Sequence, residues 1–320
     1  MTLTATGLDA ITNPNIIGEG KLADNIFKKT PEWDRLWSKK RRFEGGTNIR
    51  CPLEYAMNTT GGAFTGTATR ALDNPVFITD ARVELKEYYM GVTVSDRQRC
   101  QNCGAEAIVS LVDTSLENAS KSLRHYLCTD FHDTSATEPN TQTFEGMKDI
   151  LSSTSTYAGI AVADFAGWAA QIDASTTALS IAAMLTQYED QAQEGDVPTV
   201  IYTTHALFAK YGSVLQAQQR FMTAEKASAG FPALEFLGIP VFRSTYVPGS
   251  GSGTSDNYME MLNENYIYLY IAPEFNGDMG KWKDAKPESA GWVNSIELKG
   301  GLIVSNRRMQ GAFTTLDPAK

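Results

Sequence analysis

The segment from Gly104 to Phe131, GAEAIVSLVDTSLENASKSLRHYLCTDF, constrains the fold more than any other part of the chain. Its only glycine is its first residue, and it has no proline. Apolar residues fall at Ala105, Ile108, Val112, Leu116, Ala119, Leu123 and then Tyr126 or Leu127, in the steps of three and four that mark one face of a helix. The opposite face carries Asp113, Glu117, Asn118, Lys121 and Arg124. Such a helix would run roughly 40 Å, more than twice the typical length. An apolar stripe that long needs an equally long surface laid against it, and most of the remaining chain reads as strand.

The composition bounds the class. Of 320 residues, 42% are apolar and 20% charged, which describes a globular chain rather than a disordered one. A net charge of −9 argues against a nucleic-acid binder that uses its whole surface, though not against a local basic patch. No apolar run approaches the ~20 residues that span a bilayer. The first residues, MTLTATGLDAITNPN, lack the basic-then-apolar order of a secretory signal, so a cytosolic compartment with reduced cysteines is expected.

Taken in order, residues 1–30 read as an extended arm with turn chemistry at Asn13-Pro14-Asn15 and Gly18-Glu19-Gly20. Lys28 to Arg42 holds seven Lys or Arg against Glu32 and Asp34. Thr30 is placed to cap a helix with Pro31 at its first position, and Trp33 and Trp37 then share a face. Either this helix packs through its tryptophans with a solvated basic face, or Lys39, Lys40, Arg41 and Arg42 turn toward phosphates. Thr47 to Tyr55 and Val76 to Val94 read as the two strands of a long excursion, joined by a tip rich in Gly, Thr, Ala and Asn. Ser95-Asp96-Arg97-Gln98 fits a capping box ahead of a short helix. His132 to Thr143 reads as polar linker.

From Met147 onward the pattern is mixed α/β. Asp173 or Ser175 would cap a helix running to about Gln193, with Leu179, Ala182, Leu185 and Tyr188 on one face and Gly195 as its stop. Val197 to Tyr202 is a buried strand, and Thr204 caps a helix from His205 to about Gln216. Phe236 to Phe242 reads as one strand at an edge or bend, Pro248 to Asp256 as a Gly/Ser insertion, and Tyr266 to Ile271 as a third short strand. Asn294 to Lys299 and Gly301 to Ser305 are two closing strands.

The chemical inventory is thin. Cys100 and Cys103 form a C-x-x-C, but His125 and Cys128 lie near the far end of the long helix, roughly 35 Å away, so a zinc site fails on distance. There are three histidines, His125, His132 and His205, and no nucleophile elbow, dinucleotide loop or H-E-x-x-H. No catalytic, cofactor or metal residues are assigned.

The order of parts carries more information than any motif. YMGVTVSDRQ, DVPTVIYTTHALFAKYGSVL, FLGIPVFRSTYVP and SIELKGGLIVSNRRMQGAF each resemble passages of the major capsid protein of tailed bacteriophages, the Hong Kong 97-type fold. The resemblance covers about Asp24 to Leu316. It implies an α+β subunit divided as follows: an N-terminal arm with basic helix over 1–43, an extended β-hairpin loop over 44–94, and a peripheral domain with a spine helix over 95–143. An α/β axial domain over 144–280 and closing peripheral strands over 281–320 complete it. It further implies that the loop tip, with Met57, Phe64, Arg70 and Leu72, contacts a neighbouring subunit, and that Lys39 to Arg42 meet packaged double-stranded DNA without reading sequence. The implied function is a self-assembling icosahedral head shell in a virion, built of hexamers and pentamers in the host cytoplasm. Its partners would be a separate scaffolding protein, a portal and decoration proteins, with no enzyme activity and no membrane. Between Glu44 and Leu85 the chain has no lysine, so the covalent cross-link of some members is not expected. The alternatives are an encapsulin-type nanocompartment shell and, from another class, a cytosolic α/β enzyme using the Asp196 to Tyr211 region.

Overall fold

The computed structural model describes residues 30–57, 63, 65–66, 76–101, 111–132, 142–175, 178–216, 234–249, 257–280, 282–284 and 291–319. Helix α1 (Pro31–Ser38) is followed by β1 (Arg41–Arg42), β2 (Asn48–Glu54), β3 (Ile78–Glu84) and β4 (Lys86–Ser95). Then come α2 (Asp96–Gln101), the long helix α3 (Leu111–His132), α4 (Met147–Ile150), β5 (Gln171–Asp173), α5 (Ile181–Gln191), β6 (Val200–Thr203) and α6 (His205–Gln216). The chain continues through β7 (Leu234–Phe236), β8 (Ile239–Arg243), β9 (Asn257–Leu262), β10 (Ile267–Met279), β11 (Lys283–Asp284), β12 (Gly291–Val304) and β13 (Gly311–Leu316). No helix among the described residues is long and apolar enough to cross a membrane.

The described residues form three sheets. The first runs β1-β10-β12-β11, with β4 also paired to β12. The second runs β5-β13-β9-β6-β8-β7. The third is a ribbon of β2 and β3, in unbroken antiparallel register from Asn48↔Glu84 to Glu54↔Ile78. The expected blocks 144–280 and 281–320 therefore do not coincide with the sheets. Strand β10 lies in the first sheet and β13 in the second, because each pairs with strands distant in sequence.

Helix α3 is the spine. Its 22 described residues measure about 33 Å, and Gly104 to Ser110 lie outside the described residues. Ala119, Leu123, Leu127 and Phe131 are buried on the first sheet's inner face with Leu269, Ile271, Ile296, Leu298 and Leu302. Leu127 is the inward residue, whereas Tyr126 is 55% exposed. Burying one such leucine is worth about 1.5–3 kcal/mol, so this single stripe holds helix to sheet. A second core lies in the other sheet, around Met184, Ile201, Leu207, Tyr211, Val241, Met259 and Phe313.

Local signals act as expected at two helix starts. Ser95 and Gln98 form a reciprocal capping box, with Gln98 N–H donating to Ser95 Oγ at 3.2 Å and Ser95 N–H to Gln98 Oε1 at 3.2 Å. Thr204 Oγ1 accepts from the Leu207 amide at 3.4 Å.

Several expectations are corrected. Thr30 precedes α1 but makes no side-chain cap; its Oγ1 accepts from Cys128 Sγ at 3.3 Å instead. Helix α5 is capped by Ser180, not by Asp173 or Ser175, since Asp173 already belongs to β5. Its buried face is Met184, Gln187 and Gln191, while Leu185 is exposed, because the glutamines reach toward the second sheet: Gln187 Nε2 donates to the Gln171 carbonyl at 2.8 Å. Phe236 to Phe242 is a hairpin rather than one strand, turned at Leu237 (φ 49°) and Gly238 (φ 80°). The strand expected over Tyr266 to Ile271 starts at Ile267, after a 3-10 turn over Glu264–Tyr266, and runs on as the 13-residue β10, while the two closing runs form one strand, β12. The Val76 to Val94 run divides at Leu85 into a ribbon strand and a sheet strand. His132 is the last residue of the spine, not the start of a linker.

Candidate functional site

The described residues hold their densest charge chemistry where α1, the end of α3 and β9 meet. His132 has no exposed surface. Its Nδ1 lies 2.8 Å from Glu260 Oε2 on β9, and its Nε2 lies 3.5 Å from Glu32 Oε1 on α1. Glu32 is 1% exposed and also accepts a short hydrogen bond from the Ser244 hydroxyl. Burial works against charging the imidazole, but the two carboxylates prevail and push its pKa up to about 9. Burial likewise favours a neutral Glu32, yet hydrogen bonding and charge from His132 hold its carboxyl below the usual range. Glu32 Oε2 and Glu260 Oε1 find no donor among the described residues, so the imidazolium is what keeps two buried carboxylates tolerable.

One turn along α1, Arg35 reaches Glu264 with both Nε (2.6 Å) and a terminal nitrogen (2.7 Å), and Lys39 Nζ adds a contact at 3.0 Å. Glu264 is 5% exposed. Burial would raise its pKa, but the Arg35 and Lys39 charges lower it on balance. The first helix is thus tied by Glu32 and Arg35 both to the spine and to the loop between β9 and β10. A parallel device anchors the β12–β13 crossover. The fully buried Arg307 guanidinium donates to the carbonyls of Ile150, Asp149 and Ser155 at 2.5 to 2.9 Å, and burial lowers its pKa to about 10.

The expected basic cluster is largely engaged within the chain. Lys39 is on Glu264; Lys40 donates to Asn276 Oδ1 at 2.8 Å and sits 3.8 Å from the Trp37 ring centroid; Arg41 lies 3.9 Å over Tyr268. Arg42 is exposed on the edge strand β1. Of the expected loop-tip contacts, Met57 is 87% exposed beyond β2, whereas Phe64, Arg70 and Leu72 lie outside the described residues. Val76 and Ile78, across from Met57 on the return strand side, are also exposed. The ribbon is docked at its middle and near its outer end: the Arg82 amide donates to the Ala158 carbonyl at 2.9 Å, and Tyr55, just past Glu54, meets Phe165 edge to face.

Of the positions considered for zinc, Cys103 lies outside the described residues, and His125 and Cys128 have separate partners. Cys128 donates to Thr30, and His125 Nδ1 is 3.0 Å from the Tyr246 hydroxyl. In the Asp196 to Tyr211 region, Asp196 accepts a short bond from Tyr266, His205 is exposed, and Tyr211 donates to the Glu235 carbonyl at 2.8 Å. A crevice of about 180 Å³ between α1 and α3, lined by Trp33, Trp37 and Leu123, is smaller than the ~300–1,000 Å³ of ordinary small-molecule sites.

His132 was not visible in sequence as a site residue, since its partners stand 100 and 128 positions away. The only local signal is that a histidine closes the apolar stripe one residue past Phe131.

No protein-family model matches the sequence, and no curated protein matches it. Solved structures do match in fold over nearly the whole chain. The capsid subunit of cyanophage A-1(L) superposes with a TM-score of 0.68 at 18% identity, covering 95% of this chain and 98% of that one. The SrpI encapsulin of Synechococcus elongatus gives 0.61 at 12% identity, covering 100% and 98%. The capsid protein of a native GTA particle gives 0.61 at 13% identity, covering 98% and 100%. The TM-scores and the near-complete coverage agree: the chain has the Hong Kong 97-type fold shared by tailed-phage capsid subunits.

Proposed function

We propose that this chain is the major capsid protein of a tailed bacteriophage, a structural subunit that assembles into a closed icosahedral shell around double-stranded DNA. The observation that carries the reading is the near-complete two-way coverage with the cyanophage capsid subunit. The ribbon supports it independently: Met57, Val76 and Ile78 expose large apolar side chains at its outer part, a cost in an isolated subunit that contact with a neighbour removes. On this reading the six-stranded sheet with α5 and α6 forms the axial domain and the five-stranded sheet with α3 the peripheral domain. The loop tip with Met57, Phe64, Arg70 and Leu72 lies over an adjacent subunit. Lys39 to Arg42 give non-specific phosphate contact, with Arg42 the most available. A separate scaffolding protein, a portal and decoration proteins complete the assembly, which proceeds in the host cytoplasm without catalysis by this chain.

Full coverage by an encapsulin subunit favours a second reading, a protein-filled nanocompartment. Expression of the chain alone, followed by sedimentation and negative-stain electron microscopy, tests the shell class. Closed shells or tubes tens of nanometres across support it, and a small oligomer unchanged by a scaffold overturns it. Nuclease-protected DNA in particles from the native source selects the virion, and a co-purifying cargo enzyme selects the nanocompartment.

A further inference from the structure

We infer that the outer edge of β4, from Glu87 to Val94, is a strand-addition site for a second copy of this chain. The partner's identity rests on the shell reading above; the site itself rests on the sheet. Strand β4 has ten residues and pairs with β12 along one side, from Ser95↔Gly291 to Lys86↔Gly300. Among the described residues no strand pairs with its other side. A strand paired on one side turns about half of its amides and carbonyls outward.

The other sheet edges are blunted in the ways that keep proteins from adding strands. Strand β1 is two arginines and β11 is Lys283–Asp284. Strands β5 (Gln-Ile-Asp) and β7 (Leu-Glu-Phe) have three residues each, with an acid in both. The ribbon strands carry Arg50, Pro52 and Glu54 on one and Asp80, Arg82 and Glu84 on the other, and the Arg82 amide is already taken by Ala158. The outer edge of β10 past Ile271 carries Pro273, Glu274 and Asp278, so among the described residues β4 alone is long and undefended. Tyr88 to Val94, YYMGVTV, has seven residues with no charge and no proline, and is dominated by strand-forming types.

Its inward residues Val92 and Val94 are buried, whereas Glu87, Tyr89, Gly91 and Thr93 are exposed on the solvent face, with Tyr89 at 77%. That combination invites a neighbouring strand by main-chain pairing. The edge's neutrality selects an uncharged strand, and the chain has two threonine-rich uncharged stretches of its own, residues 1–8 and 58–69. A charged strand laid there would strand its charges against Tyr88 to Val94 without partners.

Hydrogen–deuterium exchange on the full chain, assembled and dissociated, tests the site. Amides in peptides spanning Glu87 to Val94 should exchange at least tenfold more slowly in the assembled form. The double substitution Tyr89→Lys with Thr93→Lys places two charges on the exposed face of the edge. It should abolish assembly while the dissociated chain keeps its far-UV circular dichroism and melting temperature, and the neutral pair Tyr89→Thr with Thr93→Val should assemble normally. Shells that form with unchanged exchange in Glu87 to Val94, or normal shells from the lysine variant, overturn the edge while leaving the shell reading intact. A wild-type chain that stays monomeric at every concentration with a scaffold present overturns both.

Discussion

His132 Nδ1 stands 2.8 Å from Glu260 Oε2, and neither side chain has any exposed surface. The bond joins the last residue of the spine helix to a central strand of the other sheet, 128 residues later. With Glu32 on the far side of the ring, one cation fixes three elements. Replacing His132 with Gln should therefore cost about 3–5 kcal/mol, the usual result of leaving buried charge uncompensated. Chemical denaturation of the dissociated chain measures it, and a loss below about 1 kcal/mol would show that the cluster is solvated.

The same cluster sets a pH dependence. The folded imidazole holds its proton to about pH 9, whereas its ordinary pKa is 6.5. Its stabilisation is full below about 6.5 and declines as pH rises through 9. Glu32 acts oppositely: its folded pKa is depressed, so its contribution is present above the ordinary value of 4.5 and is lost as pH falls through the lower folded value. The melting temperature should plateau between these limits and fall on both sides. In His132→Gln the alkaline decline over this window should disappear.

Glu264 receives three donors, two from Arg35 and one from Lys39. Glu264→Gln should loosen α1 without unfolding the sheets, at a cost of about 1–3 kcal/mol for hydrogen bonds to a charged group. Limited trypsin digestion should then cut within 28–42 faster than in the wild type, with the remainder of the chain still resistant.

Two adjacent glycines on β12 make a paired test. A Cβ on Gly300 would stand 2.5 Å from the Tyr270 carbonyl oxygen, against backbone that cannot yield without moving β10. A Cβ on Gly301 would meet the end of the Ile49 side chain, on the ribbon. Gly300→Ala should lower stability by about 1–3 kcal/mol, as overpacking does. Gly301→Ala should cost less in the dissociated chain but re-aim the ribbon, and so show its main effect in particle yield and shape.

Much of the architecture was legible because it is local. The three-and-four spacing of Leu116, Ala119, Leu123 and Leu127, the Ser95/Gln98 box and the Thr204 cap need only neighbours in sequence. The failures share one cause, which is that partners far along the chain decide the outcome. Gln187 and Gln191 fall outside the expected face of Leu179, Ala182, Leu185 and Tyr188, because the sheet that buries them is built from strands elsewhere in the chain. Leu237-Gly238 lacks the usual Asn-Gly signature of a tight hairpin, so the turn was hidden inside what reads as one apolar run. The charged junction was least legible. In sequence Glu32 is one of two acids set among seven basic residues and His132 reads as linker, and nothing near either one points to Glu260.

Strand β13 sits between β5 and β9 in the six-stranded sheet. During synthesis β5 cannot join that sheet, because the place between β5 and β9 stays empty until residue 316 has left the ribosome. Everything that depends on its finished shape waits as well. On the shell reading proposed above, a subunit still being translated lacks this finished edge, so the order of the chain favours completed copies in the product.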